Sequence, residues 1–448
     1  MSKSRIYIIT AYLIFYLILS GFSGQMDTIV PKAVKRPKMF TEHGSARIDN
    51  YHWLSNPSNP NVITLLEQEN KYADKILAPL QKRITALHDE LTERYQINDD
   101  DVPVQIGQYW YYQRYEDGQQ YPSVFRKKGS WNGREELLFD QAKMAKNLNY
   151  FILKEYTVSN NNNQVAYSYD TIGIKQNTLR IMDIKTRKVL PDAIKNVAAK
   201  GIIWTKDDKA IYYLKNDAKT KSYRLMLHTV GTDTTHDKII YEELDKQNFL
   251  FINPSNSQKF LFLNSKNYSN SETWYLDLED NTARLKCFEK RASNIFYTVD
   301  HYEGDMFHIF SNYQAANYQL LTTPLSITSN EAWKPLIKHK PTALLFAYKV
   351  LKNHIITHHK EKGNDLIVVH NKQDTFSRTL TFNEENFEVS LAYFNKYAYN
   401  TDSIRLNYSS LTVQNTLVSY DLTTGKITGL KHDVVNDYNP KEYTSKRV

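Results

Sequence analysis

Thirteen histidines, 49 acidic residues and a single cysteine are the groups of this 448-residue chain that could carry hydrolytic or metal chemistry. A serine nucleophile on a strand-to-helix elbow needs glycines around it, because the turn is strained and its flanks must be small. No Gly-x-Ser-x-Gly string occurs, and the nearest approach, Gly21-Phe22-Ser23-Gly24, lies in an apolar leader. A zinc site needs several His, Cys or carboxylate ligands that converge. His354, His358 and His359 come closest, but adjacent residues of a strand point to opposite faces, so His358 and His359 do not readily share an ion. Cys287 stands alone, which excludes an intramolecular disulfide and Cys-based zinc sites. His43 and His52 flank the turn-like segment GSARIDNY and read as structural. The pairs Asp207/Asp208 and Glu242/Glu243 read as solvated charge in turns. The 14 glycines form no cluster that would let backbone approach a phosphate, which argues against a Rossmann or P-loop enzyme. From the residues, no catalytic residue, cofactor site or metal site is assigned.

The elements that would position such groups are mostly strands. With 33 Tyr, 19 Phe and 6 Trp the composition leans towards sheet, because aromatic side chains suit a pleated, half-buried surface. An apolar fraction of 41% and a charged fraction of 24% are those of a chain that folds around a core. Seven stretches share one form, a strand of apolar and variable residues, a polar turn and often a second strand. They start at Tyr121, Thr178, Tyr223, Thr273, Tyr318, Asp365 and Thr416. Intervals of 45 to 57 residues with a hairpin in each unit predict a seven-bladed β-propeller over residues 101–430. Ahead of it, Asn59-Pro60 predicts a helix start. Ile76, Leu80, Ile84, Leu87 and Leu91 recur at helical spacing as one apolar stripe, which Pro79 breaks or kinks.

The first 40 residues hold six basic side chains against Asp27 alone, so the net charge of +8 is mostly a basic N-terminal stretch. The nearly balanced remainder argues against a nucleic-acid partner. Lys3 and Arg5 precede the apolar run Ile6–Leu19 and the small residues Ser20 to Gly24, the order of a secretory signal peptide cleaved after Ser23. The alternative is an uncleaved membrane anchor over residues 6–22. Export to a periplasmic or extracellular location is expected, with membrane association only if the leader is retained.

Longer strings carry a family resemblance. HGSARIDNYHWL (His43 to Leu54), LLEQENKYADKIL (Leu65 to Leu77), VPVQIGQYWYYQRYEDGQQYPSVFRKK (Val102 to Lys128), LHTVGTDTTHDKIIYEELD (Leu227 to Asp245), SNYQAANYQLL (Ser311 to Leu321), LNYSSLTVQNTLVSYDLTTGK (Leu406 to Lys426) and DYNPKEYTSKRV (Asp437 to Val448) resemble the prolyl oligopeptidase family. The likeness is strongest to its oligopeptidase B (protease II) branch and covers the chain from about residue 30. It implies an all-β propeller with an N-terminal helical extension over residues 24–100, and a linker at 431–448 that leads, in the family, into an α/β-hydrolase domain. The family's serine-type activity on short peptides after Lys or Arg resides in that domain, which the resemblance places beyond these residues, so it transfers no catalytic residue to any position here.

The same resemblance implies that the stripe Ile76, Leu80, Ile84, Leu87 and Leu91 is an interface for hydrolase, on a chain catalytically incomplete by itself. The expected partners are a separately encoded α/β-hydrolase polypeptide and short peptides. A non-catalytic peptide-binding or scaffolding propeller and an inactive remnant are the alternatives.

Overall fold

The computed structural model describes residues 30–447 apart from 95–98, 117, 281, 374–375 and 393–397. The leader lies outside the described residues, among which no helix is long and apolar enough to cross a membrane. The chain divides into two compact units, residues 1–94 and 95–448.

In the first unit, strands Lys38–Glu42 and Ser45–Asp49 form a hairpin. Its two-residue turn, His43-Gly44, holds φ at 51° and 79°, the left-handed geometry that matches strand twist in tight hairpins. His52 meets Phe40 edge-on at 4.9 Å, which gives that histidine a packing role. Helix α1 spans Pro60–Leu77, with the Asn59 side chain accepting from the Asn61 N–H at 3.0 Å. Helix α2 spans Gln81–Glu93. Between them Pro79 lies in a single 3-10 turn, Ala78–Leu80, flanked by residues that keep right-handed helical dihedrals. A proline there removes a backbone donor without reversing the chain, so the stripe continues through the junction.

The second unit consists of antiparallel meanders. Sheet I covers residues 99–140, sheet II 152–242, sheet III 249–289, sheet IV 297–337, sheet V 343–379 and sheet VI 387–432. Each of the seven stretches picked out in the sequence contains the third strand of a repeat and the turn that follows it, and those from Tyr121, Thr178 and Thr416 reach the fourth strand. Their number as separate sheets is corrected, however. Five sheets have the four or five strands of a blade, and sheet II has seven. The reason is one 16-residue strand, Val189–Trp204, that serves two repeats. Residues 189–197 pair with Asn177–Asp183, and residues 197 and 202–204 pair with Ala210–Asn216. At the change of partner Gly201 has φ +105°. The Gly201 N–H donates to Glu155 Oε2 at 2.6 Å and that of Ile202 at 3.2 Å. Leu179, Ile181 and Ile194 pack with Ile202, Trp204, Ile211 and Tyr213 of the same sheet, so sheet II folds back on itself.

The other hydrophobic clusters each draw on two successive sheets. Between III and IV the cluster contains Phe260, Phe262, Phe288, Tyr297, Phe307 and Trp333, which is where the aromatic excess goes. Sheets VI and I meet through side chains. Lys431 Nζ lies 2.7 Å from Asp99 Oδ2 and 3.0 Å from the Asp100 carbonyl, and Arg405 Nη1 donates to the Pro103 carbonyl at 2.9 Å.

Candidate functional site

Five residues were expected to form an interface, and all five are exposed: Ile76 lies in the last turn of α1, Leu80 in the 3-10 turn, and Ile84, Leu87 and Leu91 follow on α2, between 42% and 54% accessible. Ile63, Leu66 and Leu77 add to the exposed apolar surface of this unit. Along α1, the 3-10 turn and α2 these side chains form an exposed apolar row larger than scattered surface leucines.

The propeller unit also exposes apolar residues, at one end of its sheets. In an antiparallel meander the turn between the second and third strands, and the connection to the next sheet, fall at the same end. Ile172, Ile174, Tyr268 and Leu411 occupy turns of the first kind and Leu244 a connection of the second, and all five are exposed. Asp99 and Lys431 lie at this end too, since Asp100 pairs with Arg114 and Lys431 with Leu417 beside such turns. Residues after the last strand stay there: Tyr438 Oη donates to the Thr412 carbonyl at 2.8 Å, Ser445 Oγ to Glu384 Oε2 at 3.0 Å, and Arg447 Nη2 to the Lys362 carbonyl at 2.6 Å.

The polar groups with chemical potential are committed to structure. His358 Nε2 is 2.9 Å from Asp365 Oδ1, while His359 Nε2 is 2.9 Å from Thr357 Oγ1. Burial, with Lys340 nearby, pushes His359 down to about 4. Among the described residues no group of three or more His, Cys, Asp or Glu side chains converges as a metal site. The Cys287 thiol is pushed up to about 11, first by burial and then by Glu272 and Glu289, so it is a poor nucleophile.

Two readings of solvated charge are corrected. Asp208 accepts the backbone N–H groups of Asn160 and Asn161 at 2.7 and 2.9 Å, tying two turns of sheet II together. Asp300 does the same for the Asn256 N–H at 3.0 Å, between sheets III and IV, and burial lifts its carboxyl to about 6. Glu242 pairs with Arg224 at 3.1 Å. Glu243 is buried, accepting from Arg291 at 3.0 Å, from the Asp245 N–H at 2.9 Å and from Ser265. Burial would raise this carboxyl, but these donors hold it below the usual carboxylate range.

The sequence reading missed one network. His228 is fully buried, with Nδ1 2.6 Å from Asp237 Oδ1 and Nε2 2.8 Å from Asp192 Oδ1. The Tyr213 hydroxyl donates to Asp237 Oδ2 at 2.8 Å and the Gly231 N–H to Asp192 Oδ1 at 2.6 Å. An imidazole between two carboxylates has the parts of an acid–base pair, yet its burial denies it substrate, and it acts as a bolt within sheet II.

The comparisons agree with the propeller fold. A family model described as prolyl oligopeptidase, N-terminal beta-propeller domain, matches residues 31–433. Protease 2 of Moraxella lacunata is 28% identical over 404 residues, covering 89% of this chain and 57% of that protein. Dipeptidyl aminopeptidase BI of Pseudoxanthomonas mexicana is 27% identical over 439 residues, covering 93% and 60%. The chain thus spans under two thirds of the length of these relatives. The structure of oligopeptidase B from Leishmania major superposes with a TM-score of 0.87 at 22% identity, over 94% of this chain and 63% of that one. With nine-tenths of its residues matched and the fold in agreement, the chain belongs to the prolyl oligopeptidase family and carries that family's N-terminal β-propeller domain.

Proposed function

We propose that these residues are the propeller part of an oligopeptidase B-like serine peptidase that cleaves short peptides after Lys or Arg. In this reading an α/β-hydrolase domain supplies nucleophile, base and oxyanion hole, and the propeller restricts access to short peptides. The observation that carries it is the exposed stripe of Ile76, Leu80, Ile84, Leu87 and Leu91, an apolar face in search of a partner. The 448 residues alone are expected to show no turnover of a basic-residue amide and no labelling by a serine-directed phosphonate, because acyl transfer needs a positioned nucleophile and base. Added hydrolase domain from a relative, or from the same gene neighbourhood, should bind and restore turnover. Leu87→Asp should weaken that association about a hundredfold by burying an unpaired carboxylate, while the propeller melts unchanged. Labelling of the isolated chain, or undiminished binding by the charged variant, overturns the reading. Peptide binding without hydrolase association would favour the scaffolding alternative.

The seven-bladed reading belongs to the same proposal: the two halves of sheet II act as two blades hinged at residues 197–202. A Cβ on Gly201 would meet Ile252 Cγ1 at 2.8 Å, at a φ that side chains rarely adopt. Gly201→Ala should therefore cost about 2 kcal/mol in urea unfolding. An unchanged midpoint would speak against a tight hinge there.

A further inference from the structure

At the end of the sheets opposite the Asp99–Lys431 seam, a pocket of about 520 Å³ lies between sheets III and IV, within the range of small-molecule sites. Its floor is aromatic. Phe260 and Phe307 are 4% and 0% accessible, their rings are 5.3 Å apart, and Tyr275 meets Phe307 edge-on at 5.4 Å. Its rim is basic: Lys259, Arg284 and Lys286 border the cavity. Lys286 stands opposite Tyr275 in strand register, which places its stem beside the tyrosine ring.

The two carboxylates of the lining each accept local hydrogen bonds through one oxygen and keep their charge. Asp280 Oδ1 accepts the N–H and hydroxyl of Thr282 at 2.8 and 2.7 Å, and Asp277 Oδ1 accepts the Glu279 N–H at 2.9 Å. Lys259 Nζ lies 3.9 Å from Glu279 and 5.5 Å from the centroid of the Phe260 ring. No ion pair forms at Arg284 or Lys286 among the described residues. Lys259, Arg284 and Lys286 outnumber the carboxylates Asp277 and Asp280, so the rim is net positive and favours an anionic head on an apolar body: a carboxylate gains charge-assisted hydrogen bonds at the rim while its ring or chain covers the accessible parts of Tyr275 and Leu325.

We propose that this pocket binds a carboxylate carried on an aromatic body, either a free aromatic acid or the C-terminal aromatic residue of a peptide. The site stands apart from any peptidase activity and does not rest on it. Titration of the 448-residue chain by calorimetry with phenylacetate, N-acetyl-Gly-Phe and the C-terminal amide of N-acetyl-Gly-Phe tests it. Both acids should bind, with the amide weaker by about tenfold or more. The double variant Arg284→Gln, Lys286→Gln should lose about tenfold in acid affinity with an unchanged melting curve, since both side chains are exposed. Comparable affinity for the two acids identifies a free acid as sufficient, and tighter binding of the peptide identifies a chain terminus. Either supports the site. Absence of acid binding at about 5 mM, equal binding of the amide, or undiminished binding by the double variant overturns it.

Discussion

His228→Ala is expected to cost about 3–5 kcal/mol of stability, because removing one member of a buried charge cluster leaves the others uncompensated. Both carboxylates around the imidazole are essentially inaccessible, and Asp192 Oδ2 has no hydrogen-bond partner among the described residues, so water does not take over when the ring is removed. His228→Gln, which can still donate one hydrogen bond, should fall between alanine and the native residue. The pH dependence follows from opposing shifts. Burial by itself would lower the His228 pKa, but the hydrogen bonds to Asp192 and Asp237 outweigh it and raise it above the ordinary histidine value. Burial would raise Asp192, and its hydrogen bonds from His228 and the Gly231 N–H hold it below the ordinary carboxylate value. The histidine contribution is therefore complete below about pH 6.5 and fades as pH rises through its elevated value, whereas the Asp192 contribution is complete above about pH 4 and fades as pH falls through its depressed value. Urea melts of native and variant protein from pH 5 to 9 should show their largest separation near pH 6. A separation below about 1 kcal/mol at that pH would contradict an ionised bolt.

Arg291→Met should be nearly as damaging, at about 3 kcal/mol. The guanidinium bridges Glu243 at 3.0 Å and Glu272 at 3.2 Å, and those carboxylates are 5% and 10% accessible. Trp274 Nε1 also donates to Glu272 at 2.8 Å. The cluster links the chain leaving sheet II, two strands of sheet III and the connection into sheet IV. Arg291→Lys keeps the charge but loses the planar fork that serves both acids, so part of the loss should remain. Adding Glu243→Gln and Glu272→Gln to Arg291→Met should recover much of the stability, because the penalty comes from stranded charge. If that triple variant is no more stable than Arg291→Met, the loss is one of packing.

Much of the architecture was legible because it repeats. The hairpins recur at near-constant intervals, and the stripe from Ile76 to Leu91 follows helical spacing, so both are local signals. The shared strand Val189–Trp204 was not legible, since whether two strands join or break depends on a hydrogen-bond ladder rather than on side-chain type. The corrected acidic residues failed for a related reason. Asp208 and Glu243 sit in turns, as their sequence neighbourhood says, but their partners lie 48 residues away in both cases. That distance is about one repeat, and Asn256–Asp300, at 44 residues, follows the same rule. Aligning the repeats on one another would have placed Asp208 and Asp300 against the preceding turn, and Glu243 against the following connection. His228 escaped because Asp192 lies 36 residues before it and Asp237 only nine after, a combination that fits neither a short motif nor the repeat.

The seam between Asp99 and Lys431 joins residues 332 positions apart. At translation rates of about 5–20 residues per second, the first partner waits on the order of 20–60 s for the second to be synthesised. Sheets I to V can stack as an open arc during that interval, but the free face of sheet I has no neighbour until sheet VI emerges. The nascent chain spends that time with Asp99, the Asp100 carbonyl and the Pro103 carbonyl lacking the partners that Lys431 and Arg405 later supply.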